Sequence, residues 1–175
     1  MDAIIFIVET LVSLAILAVL LRLIMQWARA DFRNPLARAL LQLTNPLIVP
    51  MRRALPAVGR IDTASVLLAL VLALLRVCVA WLLQGLGLPP LLLWLRMALY
   101  ELLSTLLWTY FVAIVLYSVI SMIAPEVYSP AQSLLRSVCE PVLRPIRRLI
   151  PPLGGLDLSP LWAVIAIQAL LILLR

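Results

Sequence analysis

One stretch of this chain is written twice. Asn45–Asp62 reads N-P-L-I-V-P-M-R-R-A-L-P-A-V-G-R-I-D, and 95 positions later Glu140–Asp157 reads E-P-V-L-R-P-I-R-R-L-I-P-P-L-G-G-L-D. Pro46, Pro50, Arg52, Arg53, Pro56, Gly59 and Asp62 recur without a gap as Pro141, Pro145, Arg147, Arg148, Pro151, Gly154 and Asp157. Self-similarity at a fixed period means that one structural unit is used twice. Any fold for this chain must therefore present the box two times.

What surrounds the box is apolar. With 65% hydrophobic and 13% charged residues and a mean hydropathy of +1.15, the chain departs far from soluble domains, which hold about 45–50% apolar and about 25% charged residues. This implies an all-α, polytopic membrane protein, one bundle of a few spans. The net charge of +6 comes from arginines without a lysine, clustered between Arg29 and Arg60 and between Arg136 and Arg148. Basic clusters beside apolar spans place these loops on the cytoplasmic side. Nucleic acid is not an expected partner, because no aromatic residues interleave with the arginines as a stacking platform. Cys78 and Cys139 occupy non-equivalent repeat positions, so neither a disulfide nor a metal site is expected. The N-terminal M-D-A-I-I-F-I-V-E-T lacks the basic region and cleavage site of a signal peptide, and the first apolar run is read as an anchor.

The pattern predicts four transmembrane helices in two parallel repeats, each with an amphipathic interfacial helix and a Pro/Arg-rich cytoplasmic loop. Repeat 1 covers residues 1–84, with spans at 3–25 and 64–83, an interfacial helix at 35–44 and the loop at 45–62. Residues 85–101 form a connector. Repeat 2 covers 102–175, with spans at 102–123 and 158–174, an interfacial helix at 130–139 and the loop at 140–157. Asn34-Pro35 and Ser129-Pro130 are cap-then-proline helix starts. Asn45-Pro46 and Glu140-Pro141 are expected to end the interfacial helices, since a residue before proline is biased out of the helical region. The apolar stretch 91–123 is long for one upright span, so 91–100 is read as a further interfacial helix carrying Trp94 and Tyr100, with a single strongly tilted helix as the alternative. Both termini then face the periplasm. An even number of spans per repeat gives both copies the same orientation, about a pseudo-two-fold axis along the membrane normal. The two boxes are expected to act as one composite surface.

Catalysis is not expected. The chain has no histidine, and no nucleophile, phosphate-loop or metalloprotease signature is present. No cofactor is implied. The box itself has three readings. Its arginines can anchor the loop to anionic head groups, at about 1 kcal/mol each. Arg52 and Arg147 can pair with Asp62 and Asp157, ten residues on, and pin the loop to the start of the next span. The box can also dock a partner protein. Charge alone explains head-group binding, whereas the registered prolines, glycine and aspartate favour the pin, which is compatible with docking.

Charges inside the spans do not repeat. Arg22 lies near the basic end of the first span and can snorkel. Glu9 and Arg76 stand roughly 9 and 12 Å from the outer boundary, at about 1.5 Å per residue. An intramembrane Glu9–Arg76 pair is predicted, with Glu101 as the competing partner, because a lone charge in lipid is costly. Such a pair is either glue between helices or part of an ion pathway.

In the box Asn45–Asp62 and its partner, which ends G-G-L-D-L-S-P, the chain resembles the YggT family of bacterial inner-membrane proteins, related to the YlmG proteins of Gram-positive bacteria and plastids. The first copy departs from the D-x-S-P ending, reading D-T-A-S from Asp62 to Ser65. The resemblance implies a multi-pass inner-membrane protein without an established enzymatic activity, associated with osmotic-stress tolerance and cation uptake. Plastid relatives are associated with haem attachment to a cytochrome b and with nucleoid and division functions; without histidine, direct haem handling finds no support here. Two functions stay open: a non-catalytic scaffold or assembly factor, and an oligomeric ion or solute channel or channel accessory. The partners expected are anionic lipid head groups at the cytoplasmic face and a protein, or a second copy of the chain.

Overall fold

The structure, a computed structural model, describes residues 2–55, 62–123, 129–150 and 157–174. Among these the chain is all-helical, with six helices: α1 (Asp2–Trp27), α2 (Pro35–Ala54), α3 (Thr63–Leu83), α4 (Leu91–Ile123), α5 (Pro130–Leu149) and α6 (Ser159–Leu174). Three of them, α1, α3 and α4, are long and apolar enough to cross a membrane. At 16 residues α6 is shorter, about 24 Å at 1.5 Å per residue.

Local chemistry sets several boundaries. The amide of Ala30 bonds the Met25 carbonyl at 2.9 Å and that of Arg29 bonds Gln26 at 3.2 Å. These two bonds form a Schellman motif at the end of α1. Arg29 occupies its left-handed position, φ 54°, where glycine is the usual residue. The end of α3 repeats the motif with Gly85 at φ 73°, Leu86 reaching back to Trp81 and Gly85 to Leu82. At the start of α2, Asn34 Oδ1 accepts the Leu36 amide at 2.9 Å; at the start of α5, Ser129 Oγ accepts that of Gln132 at 3.1 Å. Both are N-caps of the kind the Asn-Pro and Ser-Pro pairs predict. Asn34 Nδ2 also donates to the Pro130 carbonyl at 2.6 Å, tying the first turns of α2 and α5 together.

Two expectations are corrected. Asn45-Pro46 and Glu140-Pro141 do not end their helices: α2 and α5 each run for 20 residues through two internal prolines. The prolines are four apart and so share a face, which in α2 is exposed. The hydrogen bonds they remove are then lost on one side, while the buried side of the helix stays intact. The second correction is α4, which is one continuous helix of 33 residues, about 50 Å long. Residues 91–101 are its first turns and not a separate connector: no proline or glycine interrupts the run, and Ser104 turns its hydroxyl back to the Glu101 carbonyl at 3.1 Å instead of capping a new helix.

The helices form two compact units, the first made of residues 1–23 and 42–106 and the second of 24–41 and 107–175. In the first, Ile16, Val19 and Leu20 of α1, Ile48 of α2, Ala64, Leu68, Ala69 and Ala73 of α3 and Ala98 of α4 form one buried cluster. Alanine at four of these positions lets backbones approach closely, the usual basis of helix association in lipid. In the second unit α5 packs on α6. Val138, Cys139 and Leu143 are buried on one helix and Ser159, Ala163, Ile167 and Leu171 on the other, at a strict spacing of four. Leu143 and Cys139 are the repeat equivalents of buried Ile48 and Thr44.

Candidate functional site

The doubled box folds into a helix end plus the residues that open the next helix. Arg52 and Arg53 lie in the last turn of α2, and Arg147 and Arg148 in the last turn of α5. Cations are favoured there by the exposed carbonyls and the helix dipole. Pro46, Pro50, Pro141 and Pro145 are inside these helices. Pro56, Gly59, Pro151 and Gly154 lie outside the described residues.

In the first copy Arg52 grips Asp62 with two nitrogens. Nε donates to Oδ1 and Oδ2 at 3.3 and 3.2 Å, and Nη2 to Oδ2 at 2.5 Å. Ser65, one turn into α3, donates its hydroxyl to the same oxygen at 2.6 Å. The Asp62 side chain is 0% exposed, while that of Arg52 is 42% exposed. Burial pushes this carboxyl up, but the hydrogen bonds from Arg52 and Ser65 and the charges of Arg52 and Arg22 outweigh it and hold it below 3.8.

Arg22 is the residue that sequence reasoning placed least well. It does not snorkel: it is 3% exposed, and its Nη1 donates to Thr44 Oγ1 at 2.7 Å and Asn45 Oδ1 at 2.8 Å. The guanidinium thus crosses from α1 to the residues that precede Pro46. A polar pair, Thr44-Asn45, on a helix otherwise burying apolar groups was the available signal. The direction in which α2 turns that pair could not be read from the pattern.

The second copy has the same pin with different surroundings. Arg147 Nε donates to Asp157 Oδ2 at 2.7 Å, and Nη1 to Glu140 Oε2 at 2.9 Å. The Ser159 amide donates to Asp157 Oδ1 at 2.9 Å, a cap on the first turn of α6. The buried Ser159 hydroxyl makes no hydrogen bond of normal geometry, so the backbone amide is the donor at this cap. Asp157 is 39% exposed. Burial raises its carboxyl, and Ser159 and Arg147 together bring it below the ordinary range. Burial lowers Arg147, but its two carboxylates outweigh this and hold the guanidinium more firmly protonated than usual. Buried Cys139, beside Glu140, is pushed up to about 12, first by burial and then by that charge; a thiol so protonated is a poor nucleophile.

Of the two acids weighed for Arg76, the competing partner forms the pair and the first choice does not. Arg76 bonds Glu101 of α4, not Glu9. Glu101 follows Arg76 across the seven-residue connection 84–90, so the hairpin of α3 and α4 brings them level. The indole of Trp94 holds the same hairpin, donating to the Leu74 carbonyl at 2.7 Å. Glu9 accepts a bond from the Ser13 hydroxyl through its backbone carbonyl. Among the described residues no group of three or more His, Cys, Asp or Glu side chains could hold a metal ion.

The arrangement is a doubled Arg–Asp pin at the exit of a proline-bearing amphipathic helix, and a family model matches both copies. The CCB3/YggT model covers residues 1–83 and 96–175, so each matched segment holds one box. The chain belongs to the CCB3/YggT family. This YggT-family chain is 41% identical over 170 residues to an uncharacterized protein of Pseudomonas aeruginosa, covering 95% of this chain and 85% of that one. It is 35% identical to the uncharacterized protein YggT of Escherichia coli K12, over 97% of this chain and 88% of the other. An uncharacterized protein of Vibrio alginolyticus is 37% identical, over 96% and 91%. No solved structure matches.

Proposed function

We propose that the chain is a non-catalytic scaffold or assembly factor of the bacterial inner membrane, with four spans in two parallel repeats, both boxes cytoplasmic and both termini periplasmic. The observation that carries this reading is the division of labour within each arginine pair. Arg52 and Arg147 are held by aspartates, whereas Arg53 and Arg148 stand exposed at the same helix ends. The pin fixes the backbone that carries each exposed guanidinium, which leaves only side-chain ordering to be met on binding, and the planar fork suits carboxylate or phosphate groups. Anionic head groups and an acidic surface of a protein partner, or of a second copy, are the matching ligands. A place in the osmotic-stress response follows from the family resemblance alone.

Crosslinking in native membranes tests this. The double change Arg53→Glu and Arg148→Glu should abolish crosslinks to the partner while the protein still inserts; crosslinks that persist would sink the docking role. Liposomes containing only the purified protein should show no selective ion conductance. A conductance abolished by Arg76→Ala or Glu101→Gln would replace the scaffold with the channel reading.

A further inference from the structure

The two pins differ in a way that a ligand can use. Asp62 is sealed, but Asp157 stands open beside a groove of about 590 Å³ between α4 and the start of α6. Val115, Val119 and Met122 of α4 and Leu161 and Val164 of α6 form its apolar walls. Asp157 lies just before α6, and Val164 is about 10 Å further along that helix, at 1.5 Å per residue. The groove therefore has a carboxylate at one end and hydrocarbon walls beyond it. Tyr117 and Ser121, one turn apart on α4, add hydroxyls to the lining.

Charge specifies the head group. Arg147 is shared by two carboxylates, Glu140 and Asp157, so within this hydrogen-bonded trio the acids outnumber the base by one. Its counterpart has the opposite balance, since Asn45 replaces Glu140 and Arg22 is added beside Arg52 and Asp62. A carboxylate offers about four lone-pair sites; Asp157 uses one for Arg147 and one for the Ser159 amide. The remainder suit a donor with several N–H groups on a compact cation. An ammonium fits this need, whereas a quaternary choline has no N–H to give.

We propose that this groove binds a membrane phospholipid with an ethanolamine head group, its ammonium on Asp157 and an acyl chain along Val119, Leu161 and Val164. The inference stands apart from the scaffold reading, which rests on Arg53 and Arg148. The full chain, purified in detergent, is titrated with phosphatidylethanolamine, phosphatidylcholine and phosphatidylglycerol of identical acyl chains, and bound lipid is counted by native mass spectrometry. Ethanolamine lipid should be retained roughly tenfold over the choline lipid, the scale of one charge-assisted hydrogen bond. Asp157→Asn should erase that preference. Val164→Trp, which fills the groove and leaves the pin alone, should weaken retention of the ethanolamine lipid and decides the matter if Asp157→Asn does not insert. Equal retention of ethanolamine and choline lipids would overturn the proposal. So would stronger retention of phosphatidylglycerol, which would place the head group on the arginines, or equal competition by soluble glycerophosphoethanolamine, which would leave the apolar walls no part.

Discussion

Replacing Asp62 by alanine should destabilise the protein at least twice as much as the same change at Asp157, although the sequence writes the two residues as equivalents. Asp62 is fully buried and accepts from both Arg52 and the Ser65 hydroxyl. Its removal leaves a buried hydroxyl unsatisfied and sets Arg22 and Arg52 beside each other without an anion. Breaking a buried pair costs about 3–5 kcal/mol. Arg52 is 42% exposed and can rehydrate, which lowers the figure to about 2–3 kcal/mol. Asp157 is 39% exposed; a surface pair is worth about 0–1 kcal/mol and its helix cap about 1 kcal/mol, partly replaceable by water. A net of about 1 kcal/mol follows. At roughly 3 °C per kcal/mol for a chain of this size, Asp62→Ala should lower Tm by about 6–9 °C and Asp157→Ala by about 3 °C. The assay is thermal unfolding in detergent followed by tryptophan fluorescence, with Arg52→Ala and the double variant completing a cycle. Equal shifts at the two aspartates, or a larger one at Asp157, would refute the argument that burial and not the motif sets the strength of the pin.

The same carboxylate carries a pH signature. Because the folded Asp62 carboxyl lies below 3.8, its contribution is complete above the ordinary carboxylate range and is lost as pH falls through the lower folded value. Tm should hold near neutrality and drop below about pH 4, with Asp62→Asn flattening that acid limb; a Tm that rises on acidification would contradict it. Arg22→Ala should cost about 2 kcal/mol, since buried Thr44 and half-buried Asn45 lose a charged donor, and a melt within error of the unaltered protein would restore the snorkelling picture. Glu101→Gln should leave Arg76 unpaired and cost about 2 kcal/mol, whereas Glu9→Gln should stay within about 0.5 kcal/mol; the charge-reversed pair Arg76→Glu with Glu101→Arg should recover part of the loss. Arg29→Gly should raise stability by about 0.5–1 kcal/mol, because Arg29 occupies a left-handed position that glycine takes without strain. Chemical denaturation of that variant gives the sign directly.

Much of this site could be read from the residues because its information is local. The cap-then-proline pairs, Asn34-Pro35 and Ser129-Pro130, name the first turns of α2 and α5, since capping depends only on near neighbours. The interval from arginine to aspartate is repeated in register, and the structure brings Arg52 to Asp62 and Arg147 to Asp157. The misreadings arose where a local bias met a tertiary surface. Pro46 and Pro141 oppose a helix, but the helices continue past them because their intact faces bury Ile48 and Leu143. Glu9 and Glu101 are both within reach of Arg76 by depth alone. Depth says nothing of which helix lies alongside, and the α3–α4 hairpin chose Glu101.

By itself, the sequence determined that the chain is helical and apolar, that it is built from one box used twice, and which charged residues stand ten apart to form the pins. These follow from composition, periodicity and capping, all properties of short segments. Only the tertiary structure decided that Arg22 is buried against Thr44 and Asn45, that Asp62 is sealed, and that Asp157 is left open beside a groove. The physical reason is that solvation is set by what covers a group. A linear pattern gives the spacing of two charges, and the packing around them gives the dielectric in which they meet.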